Sequence, residues 1–404
     1  MPDDLVAVLA ERGVTKPFEV QSVTIPDALA GRDVCGRAPT GSGKTLAFGL
    51  PLAASSKRAT PKRPTSLVLV PTRELAAQVQ RELEPLLRAR RQRVLAVYGG
   101  VGFGPQRAAL NRGVEVLVAC PGRLLDLLGQ RALQLDSVEI VVIDEADRMA
   151  DFGFLPDVRK ILDRTARKRQ TLLFSATLDG EVERLTRSYQ TDPVHHGVGS
   201  SEPDLQAVSH RFWTVEPHER IDRTAALVRS VGPTIVFCRT RHGVDRVTKG
   251  LVQSGVSAAA IHGGRTQNQR DRALAAFASG GVHTLIATDV AARGIHVDSV
   301  ACVVHYDLPA DTKSYVHRSG RTARGGASGT VVSFVGRDHQ KAARELVRSL
   351  GLNLDLTEPH SLPRTEPRSH HTSRTVASRT ARARPTKGPR RGRSKSSRDA
   401  TRRS

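Results

Sequence analysis

Residues 38–45 read APTGSGKT and residues 140–147 read IVVIDEAD. A glycine-rich loop closing on Lys-Thr belongs between a strand and a helix. There, backbone N–H groups approach phosphate oxygens at the positive end of the helix dipole. An apolar, β-branched run ending in carboxylates reads as a strand buried on both faces. Its acids then lie at the C-terminal edge of a parallel sheet, where α/β ligand sites gather. Together the two stretches predict an α/β chain with a doubly wound parallel sheet. Lys44 would reach the β- and γ-phosphates and Thr45 would hold Mg2+. Ala38, Pro39, Thr40, Gly41, Ser42 and Gly43 would cradle the phosphates, with Ala38 at the first glycine of the general pattern G-x-x-x-x-G-K-[ST]. Asp144 would hold Mg2+ through water, and Glu145 would orient or deprotonate the attacking water.

The same strand signal recurs outward from these stretches. Apolar runs occupy 67–70, 94–97, 116–118 and 171–174, then 234–237, 284–287 and 300–305, with helical segments between them. That alternation predicts parallel strands covered by helices on both sides. Between Asp192 and Val208 the sequence loses apolar periodicity and collects Gly, Ser and Pro. The expected division is therefore a first domain over 1–195, a linker over 196–208, a second domain over 209–355 and a tail over 356–404. No residue-level repeat relates the halves. His195 and His196 read as linker residues rather than metal ligands. Trp213 is expected to pack at the first strand of the second domain, and Cys238 to be buried filler.

Charge points to the partner. Lys and Arg number 62 against 40 Asp and Glu, a net +22, which predicts attraction to polyanions such as nucleic acid. Residues 361–404 hold 14 of those cations and two acids with almost no apolar side chains, so that segment is expected to form a disordered basic tail. The four cysteines are scattered without a CxxC pair, which excludes a disulfide framework and fits a reducing compartment. The first 13 residues carry acids where a secretory signal needs basic residues, and they read as an amphipathic helix. With no apolar run near the ~20 residues of a membrane span, the expected location is cytoplasmic.

The remaining motifs resemble those of the DEAD-box RNA helicases, over about residues 5–350. In order they are GVTKPFEVQ at 13–21, APTGSGKT, PTRELAAQ at 71–78, Gly99–Gly100, PGR at 121–123, DEAD at 144–147 and SAT at 175–177. The second half continues with IVFCRT at 235–240, QNQR at 267–270, TDVAARGI at 288–295 and HRSGRTAR at 317–324. The resemblance implies two tandem RecA-like domains that clamp RNA when ATP binds between them. It implies that Gln21 reads the adenine edge, an amide being able both to donate and to accept. Arg321 and Arg324 would act as arginine fingers, and Asp147, Ser175 and Thr177 would couple the phosphate site to domain closure. Arg73, Gly100, Arg123, Arg270, Thr288 and Asp289 match positions that grip RNA along its backbone, largely without regard to sequence. A monomeric core with ribonucleoprotein or ribosome-assembly partners would fit this family. An ATP-gated RNA clamp with little unwinding, and a DNA-acting helicase of the same superfamily, stay open as alternatives.

The chain departs from the family pattern at several places. The family's adenine-stacking aromatic falls about where this sequence starts, implying a truncated start or a weaker hold on adenine. Phe18 replaces a Thr, Cys120 replaces the Thr of TPGR, and His296 stands where an Asp is usual. Ser319 and Ala323 alter spacers around Arg321 without touching the arginines.

Overall fold

A computed structural model describes residues 1–39, 41–178, 180–198, 208–292, 300–323 and 329–359. Thr40, His296, Arg324 and the basic tail over 361–404, each the subject of an expectation above, lie outside the described residues.

Among the described residues the strands form two seven-stranded sheets. The first comprises β1 (Val34–Arg37), β2 (Ser66–Leu69), β3 (Val94–Val97), β4 (Val116–Ala119), β5 (Ile140–Asp144), β6 (Gln170–Ser175) and β7 (Val194–Gly197). The second comprises β8 (Val208–Thr214), β9 (Thr234–Phe237), β10 (Ala258–Ile261), β11 (Thr284–Ala287), β12 (Cys302–His305), β13 (Gly329–Val335) and β14 (Leu356–Thr357). Their orders are β3-β4-β2-β5-β6-β1-β7 and β10-β11-β9-β12-β13-β8-β14. Counted from the start of its own half, the second order is the same as the first. Every pairing within the two sheets is parallel.

Side-chain alternation along each strand explains why each sheet is covered twice. Val68 and Val142 join one apolar cluster, with the helices Lys44–Ser55 and Arg73–Ala89. Their neighbours Leu67, Leu69, Val141 and Ile143 join the cluster on the opposite face. In the second lobe Ile235 and Phe237 point one way, and Val236 and Cys238 the other. Successive Cβ atoms of a strand face opposite sides, so an unbroken apolar run needs helices on both.

Helix caps set the loops at the strand ends. The Thr72 hydroxyl accepts from Leu75 N–H and starts the helix at Arg73. Thr240 caps the helix from Arg241 in the same way in the second lobe. Both motif threonines therefore end a strand–loop and open a helix at the C-terminal edge of their sheet.

Three places differ from the sequence expectation. The tail is expected from residue 356, but Leu356–Thr357 form β14 and pair with β8, so the second sheet runs past that boundary. His195 and His196 belong to β7, which pairs with β1 in register, and His196 Nε2 lies 2.8 Å from Asp27 Oδ2. This edge strand is short and half-exposed, so it shows none of the apolar continuity that marks the others. β10 is an alanine run, Ala258–Ile261, whose helical preference is overridden by parallel pairing to β11. Trp213, on β8, is buried and stacks at 6.3 Å on Phe334.

Candidate functional site

The phosphate loop is anchored where β1 ends. Ala38 N–H donates to Ser175 O at 3.0 Å, which holds the loop beside the end of β6. Gly41 and Gly43 both have φ of +88°, in the left-handed region that glycine adopts without a Cβ clash. Gly43 is constrained twice, because a Cβ there would lie 2.5 Å from Gln21 Nε2 and 2.8 Å from the Phe18 ring. Lys44 is buried, and its Nζ donates to the Ala38 and Pro39 carbonyls at 2.9 and 3.2 Å. Thr45, on the first turn of the following helix, is buried beside it. Ser42 Oγ donates to Pro39 O at 2.8 Å and tightens the loop.

Gln21 is also buried, and its amide bridges two backbones. Nε2 donates to Gly43 O at 2.9 Å, and Oε1 accepts from Phe18 N–H at 2.9 Å. The family resemblance marks Gln21 as a base reader; it does not reveal that the same side chain braces the phosphate loop.

β5 brings the carboxylates to this loop. Asp144, Glu145 and Asp147 are each less than 5% exposed. Glu145 adopts φ of +54°, uncommon for a residue with a Cβ and a local strain of the kind that collects at functional sites. Its N–H donates to Asp144 Oδ1 at 2.9 Å, and Arg148 Nε lies 3.5 Å from Glu145 Oε2. Asp147 N–H donates to the Ser175 hydroxyl oxygen at 3.1 Å, joining the DEAD turn to the SAT strand end. Thr177 lies half-buried two residues beyond Ser175. Burial pushes the Asp144 carboxyl up to about 7; Lys44 opposes the rise and Glu145 adds to it. Burial also raises Asp147, against the pull of Arg148.

This acid-rich pocket fits a divalent cation. Three buried carboxylates face Lys44 and Arg148, and added positive charge would restore the ionised state that burial disfavours. No group of three or more His, Cys, Asp or Glu able to hold a metal unaided occurs among the described residues. Phosphate oxygens and water would have to complete the coordination, as is usual for Mg2+.

The other candidate residues of the first lobe lie along the same sheet edge. The Arg73 guanidinium rests on Gly100, whose φ is +85° and where a Cβ would clash with Arg73 Nη1. Arg123 donates from Nη1 to Val101 O and Gln106 Oε1 at 3.0 and 3.1 Å, with its Cζ 4.1 Å above the Phe103 ring. Arg73, Gly100 and Arg123 are thus brought together, and Phe103 and Gln106 join them without having been singled out.

In the second lobe, Arg318 organises the edge. It grips Asp289 with two bonds of 2.6 and 2.7 Å, and donates from Nη1 to Asp307 O at 2.7 Å. Arg321 is buried one turn on, its N–H donating to Arg318 O at 3.1 Å. Thr288 is buried at the end of β11. Asp289, expected on RNA, has its carboxylate engaged by Arg318. The partner stands 29 residues away in sequence, so no local pattern announces the pair.

Arg270, expected on RNA, is engaged within the protein. Its Nη2 lies 2.8 Å from Oε1 of Glu74 in the first lobe, with both side chains less than 10% exposed. Gln267 Nε2 donates to the same oxygen at 3.0 Å. Lys313 and Asp151 make a second, more exposed ion pair between the lobes, at 2.5 Å. Glu74, inside the PTREL motif, joins these residues without having been singled out in the sequence.

Two parallel-sheet lobes, one with a phosphate loop beside an acidic strand end and the other presenting buried arginines, define a tandem RecA-like nucleotide-binding protein. Residues 18–185 match the DEAD/DEAH box helicase family and residues 219–326 the helicase conserved C-terminal domain. The chain is 43% identical over 357 residues to DEAD-box ATP-dependent RNA helicase 30 of Arabidopsis thaliana, covering 86% of this chain and 60% of that relative. Against DEAD-box ATP-dependent RNA helicase CshA of Bacillus subtilis it is 37% identical, covering 89% of this chain and 73% of the relative. Among solved structures, Saccharomyces cerevisiae Dbp5 bound to RNA and ADP BeF3 aligns with a TM-score of 0.77 at 26% identity, covering 90% of this chain and 94% of that one. A DEAD box protein from Methanococcus jannaschii aligns with a TM-score of 0.51 at 33% identity, covering 89% and 97%. The chain belongs to the DEAD-box ATP-dependent RNA helicase family.

Proposed function

We propose that the protein is an RNA-stimulated ATPase whose cycle separates short RNA duplexes or remodels RNA–protein complexes. The observation that carries this reading is the burial of Asp144, Glu145 and Asp147 against Lys44 at one sheet edge, with Arg321 buried beside Arg318 in the second lobe. Lys44 binds the β- and γ-phosphates, and Gln21 reads adenine. Thr45 and Asp144 hold Mg2+, which when bound neutralises phosphate charge. Glu145 orients the attacking water and takes its proton. Arg321, with Arg324, neutralises charge on the transferring phosphoryl group, so hydrolysis requires the lobes to be together. The Asp147–Ser175 bond, with Thr177 beyond it, passes the state of the phosphate site to the lobe contact.

RNA lies across Arg73, Gly100, Arg123 and Thr288, gripped through sugar and phosphate rather than base edges. We assign Arg270 first to the lobe contact with Glu74, and Asp289 to holding Arg318. The lobe arrangement supports an RNA-engaged state, because it follows RNA- and nucleotide-bound Dbp5 more closely than the M. jannaschii protein that is nearer in sequence. Residues 1–198 and 208–359 then serve as the two domains, and the basic tail adds RNA or ribonucleoprotein contacts. No helix among the described residues is long and apolar enough to cross a membrane; a monomeric core acting in the cytoplasm fits.

Glu145→Gln tests the assignment. It removes the base while keeping the shape, so ATP-dependent RNA binding should persist and RNA-stimulated turnover should fall by ~10²-fold or more. ATP hydrolysis at the parental rate, measured beside strand displacement of a short duplex, would refute it.

A further inference from the structure

We propose that Phe18 is an aromatic wall of the nucleotide site, stacking on the base that Gln21 reads. The proposal rests on the nucleotide-site reading above and adds to it a residue that supplies affinity. Phe18 is 60% exposed, and it is the one aromatic among the exposed large hydrophobic residues described. It occupies the N-cap of the helix Glu19–Leu29, where a Ser, Thr, Asp or Asn side chain would accept a bond from the first turn, and it makes no side-chain cap bond. A phenyl ring there gives up helix stability and leaves apolar surface in water. Folding gains nothing from the exposed face of the ring.

Its surroundings supply the reason. Phe18 N–H donates to Gln21 Oε1 at 2.9 Å, so backbone and amide move as one unit. The ring rests on the phosphate loop at Gly43, where a Cβ would lie 2.8 and 3.3 Å from Cδ2 and Cγ. Glycine at 43 thus admits both the left-handed turn and the ring. An exposed, flat, apolar surface braced by the phosphate loop and tied to the amide that reads the base suits a planar heterocycle. Stacking is indifferent to which base is present. Phe18 therefore sets affinity for any nucleoside phosphate, and Gln21 sets the preference among bases.

The experiment compares Phe18→Ala, Phe18→Thr and Phe18→Trp in the full chain by calorimetric titration with ADP and with tripolyphosphate, which has no base. Phe18→Ala and Phe18→Thr should each weaken ADP about five- to tenfold, the loss appearing in KM for ATP rather than in kcat, while tripolyphosphate binding stays at the parental value. Phe18→Thr restores the helix cap, so an equal loss in that variant separates stacking from folding. Phe18→Trp should hold ADP within about twofold, and its indole fluorescence should be quenched by ADP. Parental ADP affinity in both truncations, with Gln21→Ala weakened, overturns the wall and leaves the nucleotide site standing. Parental affinity in Gln21→Ala as well removes the adenine site itself. Equal losses for ADP and tripolyphosphate would mean that Phe18 only shapes the loop, which also overturns the proposal.

Discussion

Replacing Arg270 with Met tests whether the lobe contact or RNA is that residue's main partner. The substitution keeps most of the apolar stem and removes the guanidinium that lies 2.8 Å from Glu74. With the lobes together, both side chains are under 10% exposed. Glu74 would then be left as a buried charge held only by Gln267, at 3.0 Å. Breaking such a pair costs about 3–5 kcal/mol, because the remaining charge stays desolvated. With the lobes apart Glu74 can be hydrated, so the penalty falls on the closed state alone. An equilibrium shifted by about 3 kcal/mol changes populations by roughly two orders of magnitude. Affinity for single-stranded RNA in the presence of a non-hydrolysable ATP analogue, read by fluorescence anisotropy, should therefore fall about hundredfold. RNA affinity without nucleotide should hardly change. Glu74→Gln combined with Arg270→Met should recover part of the loss, giving an interaction energy of about 1 kcal/mol or more in a double-mutant cycle. Strict additivity, together with a salt slope reduced by about 0.7, would refute the argument and return Arg270 to the RNA.

Other perturbations act on the acidic pocket and the tail. Asp144 has its pKa raised from an ordinary 3.8 to about 7 in the folded protein. Between those values the native state binds more protons than the unfolded one, so this residue withdraws stability as pH rises through that window. Nucleotide-free Asp144→Asn should accordingly melt higher than the parent. The gap should widen from pH 5 to pH 7 by up to about 1.4 kcal/mol per pH unit, measured by denaturant melts; a gap that narrows would contradict the burial argument. Deleting residues 361–404 removes +12 of charge from a segment without aromatic side chains. RNA affinity at low salt should fall and its salt dependence flatten, with a slope near −0.7 per lost phosphate contact on single strands. Equal affinities and equal slopes for both lengths would make the tail an inert solubiliser.

The sequence exposed the parts of this protein whose physics is local. β-branched runs such as 140–143 and 234–237 announce strands buried on both faces, because a run this short and β-branched favours a strand, and its unbroken apolar side chains need cover on both sides. The phosphate loop is legible for the same reason: its glycines, lysine and threonine are neighbours in the chain. β7 and β10 were less legible, since a half-exposed edge strand and an alanine run gain their conformation from strand partners far away in sequence. The site divides along the same line. Lys44 and Asp144 sit in contiguous motifs, whereas the pairs Glu74–Arg270 and Asp289–Arg318 join residues whose separation only the fold can cancel. Gln21 shows a further limit: the family resemblance assigns it to the base, and only the positions of Phe18 and Gly43 reveal its second task.

The shared strand order has a mechanical consequence. In each lobe the last strand pairs in parallel beside the first, β7 on β1 and β14 on β8. The first lobe's sheet ends at the C-terminus of β7, so a pull along the chain there would enter that sheet at β7. β7 is held to β1 over four register positions, all running the same way. Tension there slides the strand along its neighbour, loading the hydrogen bonds together instead of opening them singly from one end. The same tension reaches the second lobe at the start of β8, which is fastened to β13 over seven positions. Strands fastened in parallel this way meet a pull along their length with all their hydrogen bonds at once.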